Sequence, residues 1–149
     1  MASARITSGP WDKDAITQFL TGANIPMRLA SNGSTGPLVQ SLWFVVEDGY
    51  LWCATQDSSL LAQRIGRDPR VGFEVAGDQP PYRGVRGTGR AEIFRDQAAR
   101  ILPMLITRYQ GDGRTALSDW LVSRIDREVA IRIEPMTLTS WDYTERMGR

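Results

Sequence analysis

Histidine is absent from the 149 residues, and cysteine occurs once, at Cys53. Without an imidazole, the chain cannot assemble a Ser-His-Asp or Cys-His catalytic unit, a histidine-ligated haem or the usual zinc sites. A single cysteine allows no internal disulfide, which is typical of a cytoplasmic protein. We therefore predict no metal site, and any redox chemistry of this chain would require an organic cofactor.

A strong charge of one sign is also missing, as are long hydrophobic runs. The 18 basic and 17 acidic side chains leave a net charge of +1, which gives no electrostatic reason to expect nucleic acid or an anionic membrane as a partner. No apolar stretch approaches the roughly 20 residues that span a membrane, and residues 1–10 lack the apolar core of a signal peptide. We expect a cytoplasmic protein that binds neither nucleic acid nor a membrane.

The length and composition favour one folded domain. A chain of 149 residues is long enough to bury a sizeable core, and a content of 42% hydrophobic and 23% charged residues is typical of globular proteins. We predict a single domain over residues 1–149, with an N-terminal helix at about 10–22 and a barrel with further helices at about 27–143.

Alternating apolar residues between turn signals predict about seven short strands. Tight turns at 32–37 and 48–49 indicate antiparallel hairpins, and Pro135 is expected to separate the last two strands. Because the spacing does not fit regular βαβ units, we predict a mainly β fold, an antiparallel barrel with peripheral helices. The predicted strands cover residues 27–31, 38–47, 50–54, 70–76, 82–94, 129–134 and 136–143.

Helical periodicity predicts three or four helices outside these strands, with four candidate segments. The longest, at 96–110, contains Pro103, so we expect a kink or a later start. The last, at 115–126, should turn four apolar residues inward, namely Leu117, Trp120, Leu121 and Ile125. The other two are predicted at 10–20 and between Ser59 and Asp68.

A hydroxyl-rich turn at 55–59 joins the strand at 50–54 to the short helix that follows. The first N–H groups of a helix are unpaired and carry partial positive charge, so this turn can hold a phosphate. Ser58 and Ser59 could add hydroxyl donors, and Arg64 could add charge. Alternatively, one of the serines only caps the helix. The sequence leaves both interpretations open.

The order of several motifs resembles that of the pyridoxamine 5'-phosphate oxidase-like proteins, the FMN-binding split barrels. The resemblance extends over about residues 14–143 and rests on motif order and spacing. It implies a six-stranded antiparallel split barrel and a homodimer with two cofactor sites at the interface. The matching segments are PLVQSLWF (37–44), DGYLW (48–52), AT (54–55) before Ser59, IGRDPRV (65–71), YRGV (82–85), GRAE (89–92), IEP (133–135) and SWDY (140–143).

The resemblance also implies which residues bind the cofactor. The strand at 40–44 would lie along the flavin ring, and Thr55 and Ser59 would bind the ribityl and phosphate groups. Tyr82, Arg83 and Trp141 would lie near the ring or the substrate, from the second subunit. The full set of expected cofactor-binding residues is Ser41, Leu42, Trp43, Ala54, Thr55, Ser58, Ser59, Leu60, Leu61, Arg64, Tyr82, Arg83 and Trp141.

Leu61 is the main departure from the family pattern, because a lysine that neutralises the cofactor phosphate usually occupies this position. Charge-assisted hydrogen bonds are the strong ones, so a replacement cation is expected nearby. Arg64, Arg28 and Arg83 are the candidates.

The function implied by the resemblance is that of an FMN-binding, flavin-dependent oxidoreductase acting on a small organic substrate, with no side chain serving as a covalent catalyst. Two alternatives stay open. One is a reductase that uses the 8-hydroxy-5-deazaflavin coenzyme F-420, whose longer acidic tail would require a basic groove. The other is a non-catalytic flavin- or ligand-binding dimer, which the loss of the lysine at position 61 favours.

Overall fold

A single curled sheet carries most of the chain in the computed structural model, which describes residues 1–148. Helices flank it, and a short 3-10 helix, Ile125–Arg127, precedes the last strand. The strands are β1 (Arg5–Ser8), β2 (Met27–Ser31), β3 (Leu38–Leu42), β4 (Val45–Glu47), β5 (Tyr50–Gln56), β6 (Arg70–Ala76), β7 (Arg83–Phe94) and β8 (Glu128–Asp142). The helices are α1 (Lys13–Gly22), α2 (Leu60–Arg67), α3 (Ala98–Gln110), α4 (Ala116–Ser123) and α5 (Thr144–Met147).

The order of strands in the sheet is β3-β2-β6-β7-β8-β5-β4, and β1 runs parallel beside β8. Every pair along this path is antiparallel. β3 and β4 lie at opposite ends of the path, yet only Trp43 and Phe44 separate them in the chain. Because one extended residue spans about 3.3 Å, the two ends of the sheet come within about 10 Å, and the sheet curls into a split barrel. The prediction of a mainly β, antiparallel structure with surrounding helices is confirmed.

The expected count of six strands is wrong, since residues 1–148 contain eight. The predicted strand at 38–47 is divided at Trp43–Phe44, where the chain passes from one end of the sheet to the other, and β1 was not predicted at all. In contrast, the two strands predicted on either side of Pro135 form one long strand, β8. The β7–β8 register shifts beside this proline, where Thr88 pairs with Thr137 but Gly89 pairs with Pro135. A bulge tolerates a proline because no ladder hydrogen bond is required there.

Two apolar clusters form the core. The main cluster fills the barrel, where inward residues such as Val71, Phe73 and Val75 alternate along β6 and α1 and α2 cover the interior. The second cluster lies on the outer face, where α3 covers Val45, Trp52 and Ala130. Successive residues of β5 therefore belong to different clusters, with Cys53 in the main cluster and Trp52 in the second.

The helices differ from the predictions mainly near the end of the chain. α3 begins at Ala98 and contains Pro103. α4 is shorter than predicted, and its Leu117 and Trp120 are 42% and 53% exposed rather than turned inward. The buried position of α4 is Ser118, which shares a capping box with Thr115 and so sets the rotation of the helix. Within residues 1–148, no helix is long and apolar enough to cross a membrane.

Because Cys53 is buried, the free energy of unfolding should depend on pH in the alkaline range. Burial raises the pKa of this thiol from its ordinary value of 9.0 to about 12. The folded chain therefore keeps a proton that the unfolded chain loses, so the stabilisation is complete below pH 9 and is lost as pH rises towards 12. The slope is at most about 1.4 kcal/mol per pH unit. Urea unfolding between pH 8 and 11 should show wild type losing stability relative to Cys53→Ala, whereas a constant difference would contradict the assignment.

Candidate cofactor-binding site

The ends of β3 and β5 are not paired with each other, and the region between these two strand ends is called the slot. β4 pairs with β5 through Val45 and Trp52, and continuing that register by two residues would place Trp43 opposite Ala54. Pairing stops before this point because β3 turns away to pair with β2. The backbone edges of both strands are therefore unpaired with each other. Trp43 and Ala54 both pack beside the second cluster, so their side chains lie on the same outer face of the sheet, one at each border of the slot.

Two sets of the expected cofactor-binding residues border the slot. Leu42 and Trp43 come from the β3 side, and Ala54 and Thr55 come from the end of β5. All four are partly buried, whereas Ser41, one residue earlier on β3, is exposed. A planar ligand in the slot would meet apolar and aromatic side chains together with unpaired backbone groups.

The hydroxyl-rich turn lies directly after this end of β5. Ser59 caps α2, since its hydroxyl accepts the N–H of Ala62 at 3.0 Å. The N–H groups of Leu60 and Leu61 have no intrahelical acceptor, and no hydrogen bond among the described residues uses them. The side chain of Ser58 is exposed and takes no part in the cap. The turn thus combines the cap with two backbone donors and a hydroxyl that an anion could use.

The other expected cofactor-binding residues on α2 are Leu60, Leu61 and Arg64, and their side chains lie in different surroundings. Leu61 is 1% exposed and belongs to the main core, whereas Leu60 is 53% exposed. Arg64 extends towards the β2–β3 turn, where its Nη1 donates to the carbonyl of Gly36 at 2.8 Å. The guanidinium therefore lies at the β2–β3 turn rather than over the Ser59 cap.

A surface pocket of about 510 Å³ lies between the β2–β3 turn and α2. Leu60 and Arg64 line it together with Arg67 and the polar residues Ser34 and Thr35. Arg70 does not add to its charge, because its guanidinium forms an ion pair with Asp68 at 2.8 Å. Hydrogen bonds from Arg70 also hold the pKa of the Asp68 carboxyl well below its usual range. Arg64 and Arg67 are therefore the cations available to an anion at the outer side of α2.

Tyr82, Arg83 and Trp141 lie together at the opposite end of β8. Trp141 pairs with Gly84 across the β7–β8 ladder, and a Cβ added at Gly84 would lie 2.4 Å from the indole ring. Glycine is required here so that the indole can lie flat on the strand. Tyr82 is 42% exposed, and Arg83 is exposed beside it.

A single chain does not bring this third group to the slot. Ala54 pairs with Ala130 at one end of β8, and Gly84 pairs with Trp141 at the other. Eleven positions of β8 separate these two pairs, or about 35 Å along an extended strand. Within one chain, the third group therefore lies far along β8 from the slot.

Sequence reasoning missed a residue that supports the slot. Tyr109 of α3 stacks on Trp43 with the ring centroids 5.2 Å apart and an angle of 6° between the planes. The periodicity of α3 places Tyr109 on its apolar face, which indicates packing. The hydroxyl of Tyr109 could have indicated this role from the sequence, because a partly buried hydroxyl requires a hydrogen-bond partner.

Comparisons with known proteins identify structures with a similar fold. No protein-family model matches the chain, and no curated protein matches it. A crystal structure of a conserved hypothetical protein from Mycobacterium tuberculosis is 28% identical, with a TM-score of 0.78 over 94% of this chain and 89% of that one. A solved F-420 reductase is 22% identical, with a TM-score of 0.68 over 87% and 97% of the two chains.

Two further solved structures share the fold. An FAD-binding protein from Mesorhizobium loti is 21% identical, with a TM-score of 0.65 over 87% of this chain and 93% of that one. A Listeria innocua protein provisionally described as a pyridoxamine 5'-phosphate oxidase has the same TM-score, 0.65, at 17% identity over 85% and 95% of the two chains. The chain is a split-barrel protein of the pyridoxamine 5'-phosphate oxidase-like fold. The resemblance seen in the sequence motifs is thereby confirmed at the level of fold.

Lysine substitutions at positions 60 and 61 should have opposite consequences. Leu61→Lys places an ammonium group in the main core, where burial lowers a lysine pKa by several units. We expect a loss of at least about 3 kcal/mol in the free energy of unfolding. Leu60→Lys adds the same group at an exposed position and should change stability by less than about 0.5 kcal/mol.

Urea denaturation of the two variants beside wild type measures this difference. Equal stability of the Leu61→Lys and Leu60→Lys variants would contradict the assignment of Leu61 to the core.

Proposed function

We propose that the protein is a flavin-dependent oxidoreductase that binds FMN in the slot between β3 and β5. The observation that carries the proposal is the position of the slot, whose apolar walls at Trp43 and Ala54 lead directly to the donors at the start of α2. A planar ring at one end and a phosphate at the other match this arrangement. An FAD-binding protein and an F-420 reductase share the fold, which supports a flavin-type ligand.

The chain would supply binding, orientation and electrostatics. The Trp43 side chain and the backbone of Leu42 would face the ring from one side of the slot, while the Leu42 side chain packs against the main cluster. The unpaired backbone groups of both strands would bond the polar edge of the ring. Thr55 would hold the ribityl chain, while the Leu60 and Leu61 N–H groups and the Ser58 hydroxyl would hold the phosphate. Bound FMN supplies the hydride chemistry itself, so no side chain is assigned as a covalent catalyst.

The arginines would provide the charge that a lysine at position 61 would otherwise supply. Both hydrogen bonds of Arg64, to the carbonyls of Gly36 and Ser31, use Nη1, which leaves the donors on Nε and Nη2. Arg64 and Arg67 both line the pocket beside Leu60. To meet a phosphate at the start of α2, Arg64 would have to turn back from the β2–β3 turn, and Arg67 stands at the far end of the helix, so neither one replaces the lysine position for position.

We propose that the active form is a homodimer with composite sites. Tyr82, Arg83 and Trp141 of one copy would face the slot of the other, since β8 holds the two groups far apart in each chain. A two-fold axis makes the arrangement reciprocal, so that one dimer contains two equal sites. Tyr82 and Trp141 would then form walls of the substrate pocket.

Titration with FMN tests the proposed function. The spectrum of FMN should shift on binding to the purified protein, and an organic substrate that is oxidised or reduced should change the absorbance of the bound flavin. Ser58→Ala should weaken binding by about 1 to 3 kcal/mol with an unchanged free energy of unfolding, because it removes a donor to a charged group. Ser123→Ala, at an exposed hydroxyl on α4, is the matched control and should bind as wild type does.

The other outcomes of the titration separate the alternatives. Tight binding of coenzyme F-420 without FMN binding would replace the proposal with a deazaflavin reductase. Stable FMN binding with no absorbance change for any substrate or electron donor would indicate a binding protein. Binding of neither coenzyme would refute the proposed function.

Mixed dimers test the composite site. Leu60→Glu should repel phosphate at the slot, and Arg83→Glu should damage the half contributed by the other copy, so each variant alone should bind FMN weakly. After subunit exchange in an equimolar mixture, about a quarter of the sites should combine two intact halves. FMN binding that returns at about a quarter of the sites supports composite sites. No regain from two folded, exchanging variants would show that both residues act within one chain.

A further inference from the structure

The two residues that link β3 to β4 are held by the end of α3. The Tyr109 hydroxyl accepts the N–H of Phe44 at 3.4 Å and donates to the carbonyl of Ile25 at 3.1 Å. Its ring stacks on Trp43 at 5.2 Å. Tyr109 therefore contacts both linking residues, one through its ring and the other through its hydroxyl.

Arg108 holds the same link from the other side. Its guanidinium lies over the ring of Phe44 with 4.6 Å to the centroid. It also donates to the carbonyl of Leu20 at 2.7 Å and to the carbonyl of Ala23, at the end of α1. The carbonyls at a helix end have no intrahelical donors, so these bonds join α1, α3 and the link into one unit.

No strand fixes the link itself. The ladders end at Leu42 on one side and begin at Val45 on the other. Backbone hydrogen bonds therefore do not set the position of Trp43, which forms a wall of the slot. Burial raises the pKa of Tyr109, so its hydroxyl remains protonated at neutral pH and keeps its ability to donate.

We propose that Tyr109 is a positioning residue for the flavin: its hydroxyl and ring fix the Trp43–Phe44 link and thereby set the orientation of the ring-binding wall. The inference rests on the proposed function, because it assigns Tyr109 to the same slot. Tyr109 does not touch the cofactor, and it acts only through Trp43 and the backbone of Phe44.

The test compares Tyr109→Phe with a matched tyrosine. Tyr109→Phe keeps the aromatic stack and removes both hydrogen bonds. Tyr50→Phe is the control, because Tyr50 packs beside the same second cluster and its hydroxyl makes no hydrogen bond among the described residues. FMN affinity, the visible circular dichroism of bound FMN and the urea midpoint are measured for wild type and both variants.

We expect Tyr109→Phe to raise the Kd for FMN about fivefold or more and to change the visible circular dichroism of the bound flavin. Tyr50→Phe should leave both values at wild type. Visible circular dichroism reports how the ring sits in its chiral surroundings, and a purely structural role would lower the urea midpoint without changing this signal.

Each remaining outcome overturns the inference. A Tyr109→Phe variant with wild-type affinity and circular dichroism removes the positioning role while the proposed function stands. If wild type binds no flavin, both the positioning role of Tyr109 and the proposed function are refuted. If Tyr109→Phe does not fold, Arg108→Lys tests the same link, since it weakens the bonds to α1 and leaves the Trp43 stack in place. Unchanged circular dichroism in Arg108→Lys would then overturn the inference.

Discussion

The connection between β3 and β4 is the constraint on which the barrel depends. Two residues, Trp43 and Phe44, join strands that lie at opposite ends of the hydrogen-bonded path. So short a link forces the sheet to curl until its ends meet. The same link leaves β3 and β5 unpaired with each other, which opens the slot. The short link therefore both closes the barrel and creates the candidate site.

The length of β8 is a second constraint. This strand carries β5 and β1 on one side and β7 on the other. It holds the slot at one end and the Tyr82–Trp141 group at the other. In the proposed homodimer, the two-fold axis would bring the Tyr82–Trp141 group of one copy to the slot of the other. The exposed apolar residues Val39 and Met136 on the sheet are consistent with a surface that a second copy would cover.

Local patterns predicted the parts of the fold that local physics decides. The bounds of β2 and β6 agree with the predicted strands because half-buried strands alternate strictly. The division of 38–47 could not be predicted, since every residue there is compatible with a strand and only barrel closure separates β3 from β4. The continuity of β8 through Pro135 depends likewise on the bulge opposite Thr88 and Gly89.

The candidate site was predictable in composition and only partly in arrangement. Capping by Ser59 was one of two interpretations that the turn allowed, and the structure shows the cap with two further N–H groups beside it. The spacing of Leu61 and Ile65 predicts that they share one face of the short helix, and both are buried while Leu60 is exposed. The distance between the slot and Trp141 follows from strand register, which involves residues far apart in sequence.

A crystal structure of the protein grown with FMN would show directly whether the slot holds the flavin. We expect electron density for the ring between residues 42–43 and 54–55, the phosphate at the Leu60 and Leu61 N–H groups, and Trp141 of a second copy beside the ring. FMN bound elsewhere on the barrel, or a slot filled by the chain's own side chains in the presence of saturating FMN, would contradict it.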